Sequence, residues 1–328
     1  MRSRLITLAA LVAVAATASF VAPAAADDTL SPTELLALYQ PVTVFDQTEA
    51  FRPTSVDDFL ADADLQRAEN GSFVPAEMPA AGLPVHGEGW RLDHRGCSPA
   101  AGLGTTGVPC YRAAEHGPST VYGRHDVRGG TIVLQYWYFY NDDFWSLQYP
   151  PNGVAWQAHE GDWEVVTVVL DEQQQPLRAA YSQHCTGEKR SWADVQKQGV
   201  THPIVYVATG SHANLFAPSF PPLLHPIDLD CYPSQIRAIL QVNGITPFDF
   251  LIPVQNRILG PGTTEIERIH DYSPRWLRFP GTWGEAQFIR IPPPVGPGVV
   301  QFGTSPTGPQ DHDVWIDPLA TIAGYPGS

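Results

Sequence analysis

The densest run of reactive side chains is His159-Glu160-Gly161-Asp162-Trp163-Glu164. In an extended chain, side chains two apart share a face, so Asp162 and Glu164 project together while Trp163 packs on the opposite side. His159, in the preceding loop, can fold over that pair, and Asp142 or Asp143 adds a carboxylate from a neighbouring strand end. Three carboxylates and an imidazole form an oxygen-rich set suited to calcium, magnesium or manganese. The competing reading is a solvated strand start in which His159 only caps a turn. Two further clusters, Ser182-Gln183-His184-Cys185 and Gly210-Ser211-His212-Ala213-Asn214, each set a His near a Ser at a strand end, where a cleft could form. Neither is a nucleophile elbow: the G-x-S-x-G pattern is absent, and neighbours on a strand point apart. His212 is a candidate general base, metal ligand or phosphate contact, set against a structural His bonding a loop carbonyl. No H-E-x-x-H, Gly-rich phosphate loop or dinucleotide fingerprint occurs.

These residues need strands to hold them. Thr131 to Tyr140 is β-branched and aromatic almost throughout, which suits a strand buried on both faces and ended by Asn141-Asp142-Asp143. Asp162 to Leu170 reads as a second strand, Leu177 to Ser182 as a third and Pro203 to Ala208 as a fourth. Ahead of them, Ser31-Pro32-Thr33-Glu34 is a capping start for a short helix, and Ser55 to Leu60 is another. Residues 66 to about 120 are rich in Gly, Pro and charge and read as a looping excursion. The expected fold is mainly β: a single β-sandwich over 27–328, with an N-terminal helical arm, short peripheral helices and long loops. Trp276, Phe279, Trp283 and Phe288, around Gly281 and Gly284, fit core and turn better than a sugar platform.

Residues 1 to 26 read as a secretory signal: Arg2 and Arg4, an apolar stretch from Leu5 to Val21, and a small-residue site at Pro23-Ala24-Ala25-Ala26. No later stretch is long and apolar enough to span a bilayer, so a secreted, extracellular chain is expected. Removing the signal takes the formal charge from −15 to −17, which repels phosphate backbones and excludes nucleic acid as the natural partner. Cys97, Cys110, Cys185 and Cys231 are an even set in an exported chain, so disulfides are the default. Three pairings are possible. Loop-closure cost favours Cys97 with Cys110 and Cys185 with Cys231.

Several blocks together resemble the vacuolar-protein-sorting-sixty-two-related family: Leu38-Tyr39-Gln40-Pro41-Val42, Phe45-Asp46, Glu49 to Val56, His159 to Glu164, Val205 to Asn214, and Trp276 with Gly281-Thr282-Trp283-Gly284. That family supplies no settled activity. A more distant likeness is to the necrosis- and ethylene-inducing-peptide-like cytolysins, single-domain β-sandwiches that use a divalent cation to engage sphingolipid sugar heads. That resemblance implies metal ligands at Asp142, His159, Asp162 and Glu164, with His184 at a nearby histidine. Gly161 stands where the cytolysins carry a second His, and the longer loop after Asp142 leaves Asp143 as a substitute ligand. Toxicity does not carry over with the fold.

The leading expectation is therefore a secreted metal-binding protein, with Ca2+ or Mg2+ bridging the carboxylates to a glycan, a glycolipid head group or another extracellular small molecule, aided by Trp163 and Ser211. The alternative is a metal-dependent hydrolase of phosphoesters or glycans with His212 or His184 as acid or base. A third reading is a structural, salt-bridged network.

Overall fold

The computed structural model describes residues 29–49, 51–114, 118–149, 153–218, 225–242, 244, 246, 248–249, 257–294 and 296–328. The signal expected over residues 1–26 lies outside them. The scaffold is an eight-stranded sheet built on two long strands, Thr131–Tyr149 and Gly153–Leu170, which pair antiparallel from Ile132 with Leu170 to Tyr149 with Gly153. We call them the aromatic strand and the motif strand. Ser119–Arg128 flanks the aromatic strand and pairs in parallel with Thr264–Ile269.

The sheet forks at its other edge. The first half of the motif strand, Trp156 to His159, pairs with Gln287–Ile291, which is joined antiparallel to Gly298–Gly303. The second half, Val166 to Leu170, pairs instead with Pro176–Gln183, which pairs with Thr186–Ser191. Residues 160 to 165 lie between the two hairpins, and there Val165 donates its amide to the Ser182 hydroxyl at 2.8 Å.

Both faces of this sheet are covered. Even-numbered residues of the aromatic strand, Leu134, Tyr136, Tyr138 and Tyr140, pack with Phe45, Val205 and Val207 of a five-stranded sheet centred on Val42–Phe45 and His202–Val207. Odd-numbered Trp137 and Phe139 pack with Leu65, Leu92 and Trp283 of a four-stranded sheet. Stacked sheets with alternating side chains inside are the sandwich arrangement, here with a third layer. The expected short helices are Pro32–Leu38, with a full capping box between Ser31 and Glu34, and Val56–Asp62, capped by Ser55.

Two expectations are corrected. The aromatic strand does not end at Asn141-Asp142-Asp143; it runs on to Tyr149 with these three residues buried, because the motif strand matches it along its whole length. The excursion at 66–120 is not simply loop. It carries Ala63–Glu69, Ser72–Pro75 and Trp90–His94 of the four-stranded sheet and a helix at Val108–Ala113. Burial alternates only over the first residues of Ala63–Glu69, and Ser72–Pro75 is largely exposed, so neither carries a sustained apolar alternation. Trp276, Phe279 and Trp283 are buried among one another as core.

Candidate cation and ligand site

The fork opens a cavity of about 250 Å³ whose walls include Asp143, His159, Asp162, Trp163, Glu164 and His184. One ligand-type atom from each of Asp143, His159 and Asp162 lies within 4.8 Å of the others, and all three residues are buried. Asp143 stands directly across the ladder from His159. Simple alternation would put Asp162 on the opposite face from that pair, yet it joins them. Gly161, with φ at 57°, breaks the alternation between them. Only glycine fits there, because a Cβ would meet the Trp283 carbonyl at 2.0 Å. Gly210 has a similar role in placing the His212 turn: φ is 80° and a Cβ would meet the Phe144 carbonyl at 1.9 Å.

Hydrogen bonds orient each donor. His159 Nδ1 lies 3.0 Å from the Gly161 carbonyl and 3.3 Å from that of Glu160, so it carries the proton and donates, while Nε2 faces Asp143 Oδ2 at 3.4 Å. Asp143 Oδ1 is buried without a hydrogen-bond partner. An imidazole fixed by a carbonyl through one nitrogen, beside an unused carboxylate oxygen, fits a divalent cation. Burial alone would depress the His159 imidazolium, but the Asp143 carboxylate outweighs it and lifts the pKa to about 9. A cation held there would have to displace that proton.

Behind Asp162 stands a second layer. His212 Nδ1 donates to Asp162 Oδ2 at 3.0 Å, and its Nε2 lies 3.8 Å from Glu49 Oε1. Its ring stacks on Tyr140 with centroids 3.8 Å apart and planes within 4°. Burial opposes the charge on His212, yet its bonds to Asp162 and Glu49 push the pKa well above the usual histidine range. Glu49 in turn accepts the amides of Phe51 and Gly210. Glu164 lines the cavity, but its Oε2 is taken by the Ser182 hydroxyl and, at 3.4 Å, by Asn214. Burial, then Asp162, pushes its pKa well up.

Of the expected ligand set, His159 and Asp162 converge, while Glu164 lines the same cavity outside that cluster. Asp142 does not line the cavity. It pairs across the ladder with Glu160 and lies beside Tyr111, one residue out of step with His159, and Asp143 takes its place. The two candidate catalytic histidines are both engaged. His212 is 0% exposed and backs Asp162 rather than lining the cavity. His184 lines it, but Nε2 bonds the Asp249 carboxylate at 3.0 and 3.1 Å. Burial disfavours its charge, and Asp249 more than compensates, raising the pKa to about 9. Ser211 is buried and gives its hydroxyl to the same Asp249 at 2.5 Å. Both His184 and His212 hold left-handed backbone, φ 55° and 54°, uncommon for a residue with a Cβ. Glu49 and Asp249 were invisible as site residues in the sequence, since both lie far from the motifs they serve. The disulfides are Cys97–Cys110 and Cys185–Cys231, as loop closure favoured, and the second forms part of the cavity wall.

The fold and site define a mainly β, disulfide-bonded protein with an acidic, histidine-bearing cavity set into a split sheet. Residues 93–246 match the family of necrosis inducing protein (NPP1), a segment just under half the chain that contains the aromatic strand and the motif strand. Among solved structures, the chain is similar to NLPPya in complex with glucosamine, at 16% identity over 57% of this chain and 66% of that one, with a TM-score of 0.31. It is also similar to a structure described as a toxin fold as basis for microbial attack and plant defense, at 17% identity over 57% and 69%, TM-score 0.34. A third is necrosis and ethylene inducing protein 2 from the causal agent of cocoa's witches' broom disease, at 18% identity over 58% and 69%, TM-score 0.32. The chain spans about two thirds of the length of these proteins. No curated protein sequence matches it. The likeness to the vacuolar-protein-sorting-sixty-two-related family, which uses blocks on both sides of the matched segment, stays a sequence resemblance.

Proposed function

We propose that this is a secreted, divalent-cation-dependent binding protein whose ion, Ca2+ or Mg2+, presents a coordination position to the hydroxyls of an extracellular glycan or glycolipid head group. One observation carries the reading: buried donor atoms of Asp143, His159 and Asp162 converge within 4.8 Å at a cavity, with Asp143 Oδ1 unused. In this reading those three residues hold the ion, Glu164 borders it, and His212 with Glu49 positions Asp162. A hard cation accepts oxygen ligands readily and offsets the negative cavity, so a neutral polyol can bind an acidic protein. Secretion is supported by the two disulfides, which persist in oxidising compartments. No helix among the described residues is long and apolar enough to cross a membrane. The hydrolase alternative needs a histidine that faces substrate: His212 does not line the cavity, which leaves His184, oriented by Asp249 through one nitrogen, as its acid or base.

The test is elemental analysis and calorimetry on the signal-less chain. One Ca2+ or Mg2+ per chain, lost in Asp143→Ala and in Asp162→Ala, is the expected result, with glucosamine and neutral hexoses then titrated at saturating metal. Unchanged metal content in both variants would remove the site.

A further inference from the structure

A second cavity, of about 340 Å³, has no lining residue in common with the one at the fork. Phe144 and Trp145 of the aromatic strand form one side of it, and Leu103, Val108 and Arg112, from the segment around the Cys97–Cys110 disulfide, form another. A further cavity of about 370 Å³ adjoins it and shares Leu103, Val108 and Arg112. The wall is apolar and already in place. Phe51, Val108, Phe144 and Trp145 are buried, and Leu103 is left 57% exposed. Val108 donates its amide to the Gly102 carbonyl at 2.9 Å, and Gly102 packs so closely that a Cβ would meet the Trp156 ring at 2.6 Å. Disulfide and contacts fix this segment in advance, so an occupant has little ordering to impose.

The polar groups left over on this wall can donate. Trp145 is 7% exposed, and its indole Nε1, which can only donate, has no hydrogen-bond partner; the buried Thr209 hydroxyl has none either. An acceptor brought by a ligand would remove the desolvation cost that such groups carry. Arg112 lines both cavities, and among the described residues its guanidinium makes no ion pair, in a chain where 34 acidic residues outnumber 19 basic ones. Glu49 is the one acid on the described wall. Its oxygens accept the amides of Phe51 and Gly210, and His212 opposes its charge from 3.8 Å. A free guanidinium forks onto a carboxylate, and the apolar wall asks for a tail behind it. The volume falls at the lower end of the roughly 300–1,000 Å³ of common ligand pockets, which suits a small molecule.

We propose that this cavity binds a small monocarboxylic acid with an alkyl or aryl tail, its carboxylate meeting Arg112 and the donors of Trp145 and Thr209, and its tail lying along Leu103, Val108 and Phe144. The proposal is independent of any ion at the fork. The experiment is calorimetric titration of the signal-less chain with octanoate and hydrocinnamate in the presence of EDTA, which keeps a carboxylate from binding through a metal. Acetate, octanol, octylamine and the peptide N-acetyl-alanyl-leucyl-phenylalanine form the comparison arms. At least one tailed acid should bind, with acetate, octanol and octylamine each at least about tenfold weaker. Arg112→Gln should bring octanoate down to the level of octanol. Trp145→Phe, which keeps a ring and removes the N–H, should weaken the acid by about threefold or more, and the indole N–H resonance of Trp145 should move during the titration. Thermal unfolding checks that both variants fold; Arg112→Lys, which keeps the charge and loses the fork, serves if the glutamine variant does not. Binding of neither acid, octanol as tight as octanoate, unchanged affinity in the folded Arg112 variant, or tighter binding of the peptide would overturn the proposal.

Discussion

Among the described residues two clusters have the same size and apparent kind, and only one keeps a buried carboxylate oxygen without a partner. Asp93, Glu160 and Glu285 also bring three carboxylate oxygens within 4.8 Å, as Asp143, His159 and Asp162 bring three donors. In the first cluster every carboxylate already accepts a protein hydrogen bond, and both oxygens of the buried Glu160 do so. Glu160 accepts from Tyr111 Oη at 2.5 Å and from the Glu285 amide at 2.7 Å, Glu285 accepts from Ser98 Oγ at 3.1 Å, and Asp93 accepts from the Gln66 amide. In the second, Asp143 Oδ1 has no partner and His159 Nε2 is turned toward the acids by a bond on its other nitrogen. Proximity of acidic groups therefore says little by itself; a buried carboxylate oxygen left without a partner, Asp143 Oδ1 against the fully bonded Glu160, is what separates the two clusters.

The largest expected effect breaks that contrast directly. Asp162→Ala should abolish divalent-ion binding by calorimetry and also destabilise the fold, since it strips His212 of a partner inside the protein; Glu285→Gln should leave ion affinity within about twofold. Equal loss in both variants would mean the two clusters were misjudged. Next come the disulfides. Replacing Cys185 and Cys231 by Ser opens a separation of 46 residues and should cost about 4 kcal/mol in denaturant unfolding, against about 3 kcal/mol for the 13-residue Cys97–Cys110 loop. Only the former pair should lower ion or sugar affinity, because only it walls the cavity. Gly161→Ala should cost about 2 to 3 kcal/mol from its left-handed backbone and its closeness to Trp283, and should weaken ion binding by displacing Asp162.

The smallest effect sharpens the comparison from the other side. His94, beside the satisfied cluster, is 3% exposed with both ring nitrogens unpartnered, and burial holds its pKa below the usual 6.5. The unfolded chain thus binds a proton there more readily than the folded one, so stability from this residue is complete above pH 6.5 and is lost as pH falls below it. Chemical denaturation between pH 7.5 and 5 should show a small loss of stability that His94→Phe removes. An unchanged pH slope in that variant would assign the acid sensitivity elsewhere.

Much of this was legible in the sequence. The β-branched and aromatic run at 131–140 announced a strand buried on both faces, the capping residues at Ser31 and Ser55 announced two helices, and loop-closure cost favoured the disulfide pairing that the structure shows. The motif at 159–164 pointed to the cavity wall because its residues are neighbours on one strand. Asp142 was chosen over Asp143 because choosing between them needs the cross-strand register with His159, which local pattern does not carry. Glu49 opened a block that carried the resemblance but had no role assigned, and Asp249 had no signal: the importance of both comes from distant histidines that the fold brings to them. The alternation rule also failed at Gly161, where one left-handed residue moved Asp162 to the face of His159.

The fork has one more consequence, for how the site can be watched. Where a sheet edge is continuous, amide protons exchange with solvent only when strands part. Between the two hairpins the Val165 amide is instead held by the Ser182 hydroxyl, the same hydroxyl that bonds Glu164 at the cavity edge. Anything that draws Glu164 toward the cavity pulls on that hydroxyl, and the exchange rate of a single backbone proton becomes a gauge of occupancy that needs no label.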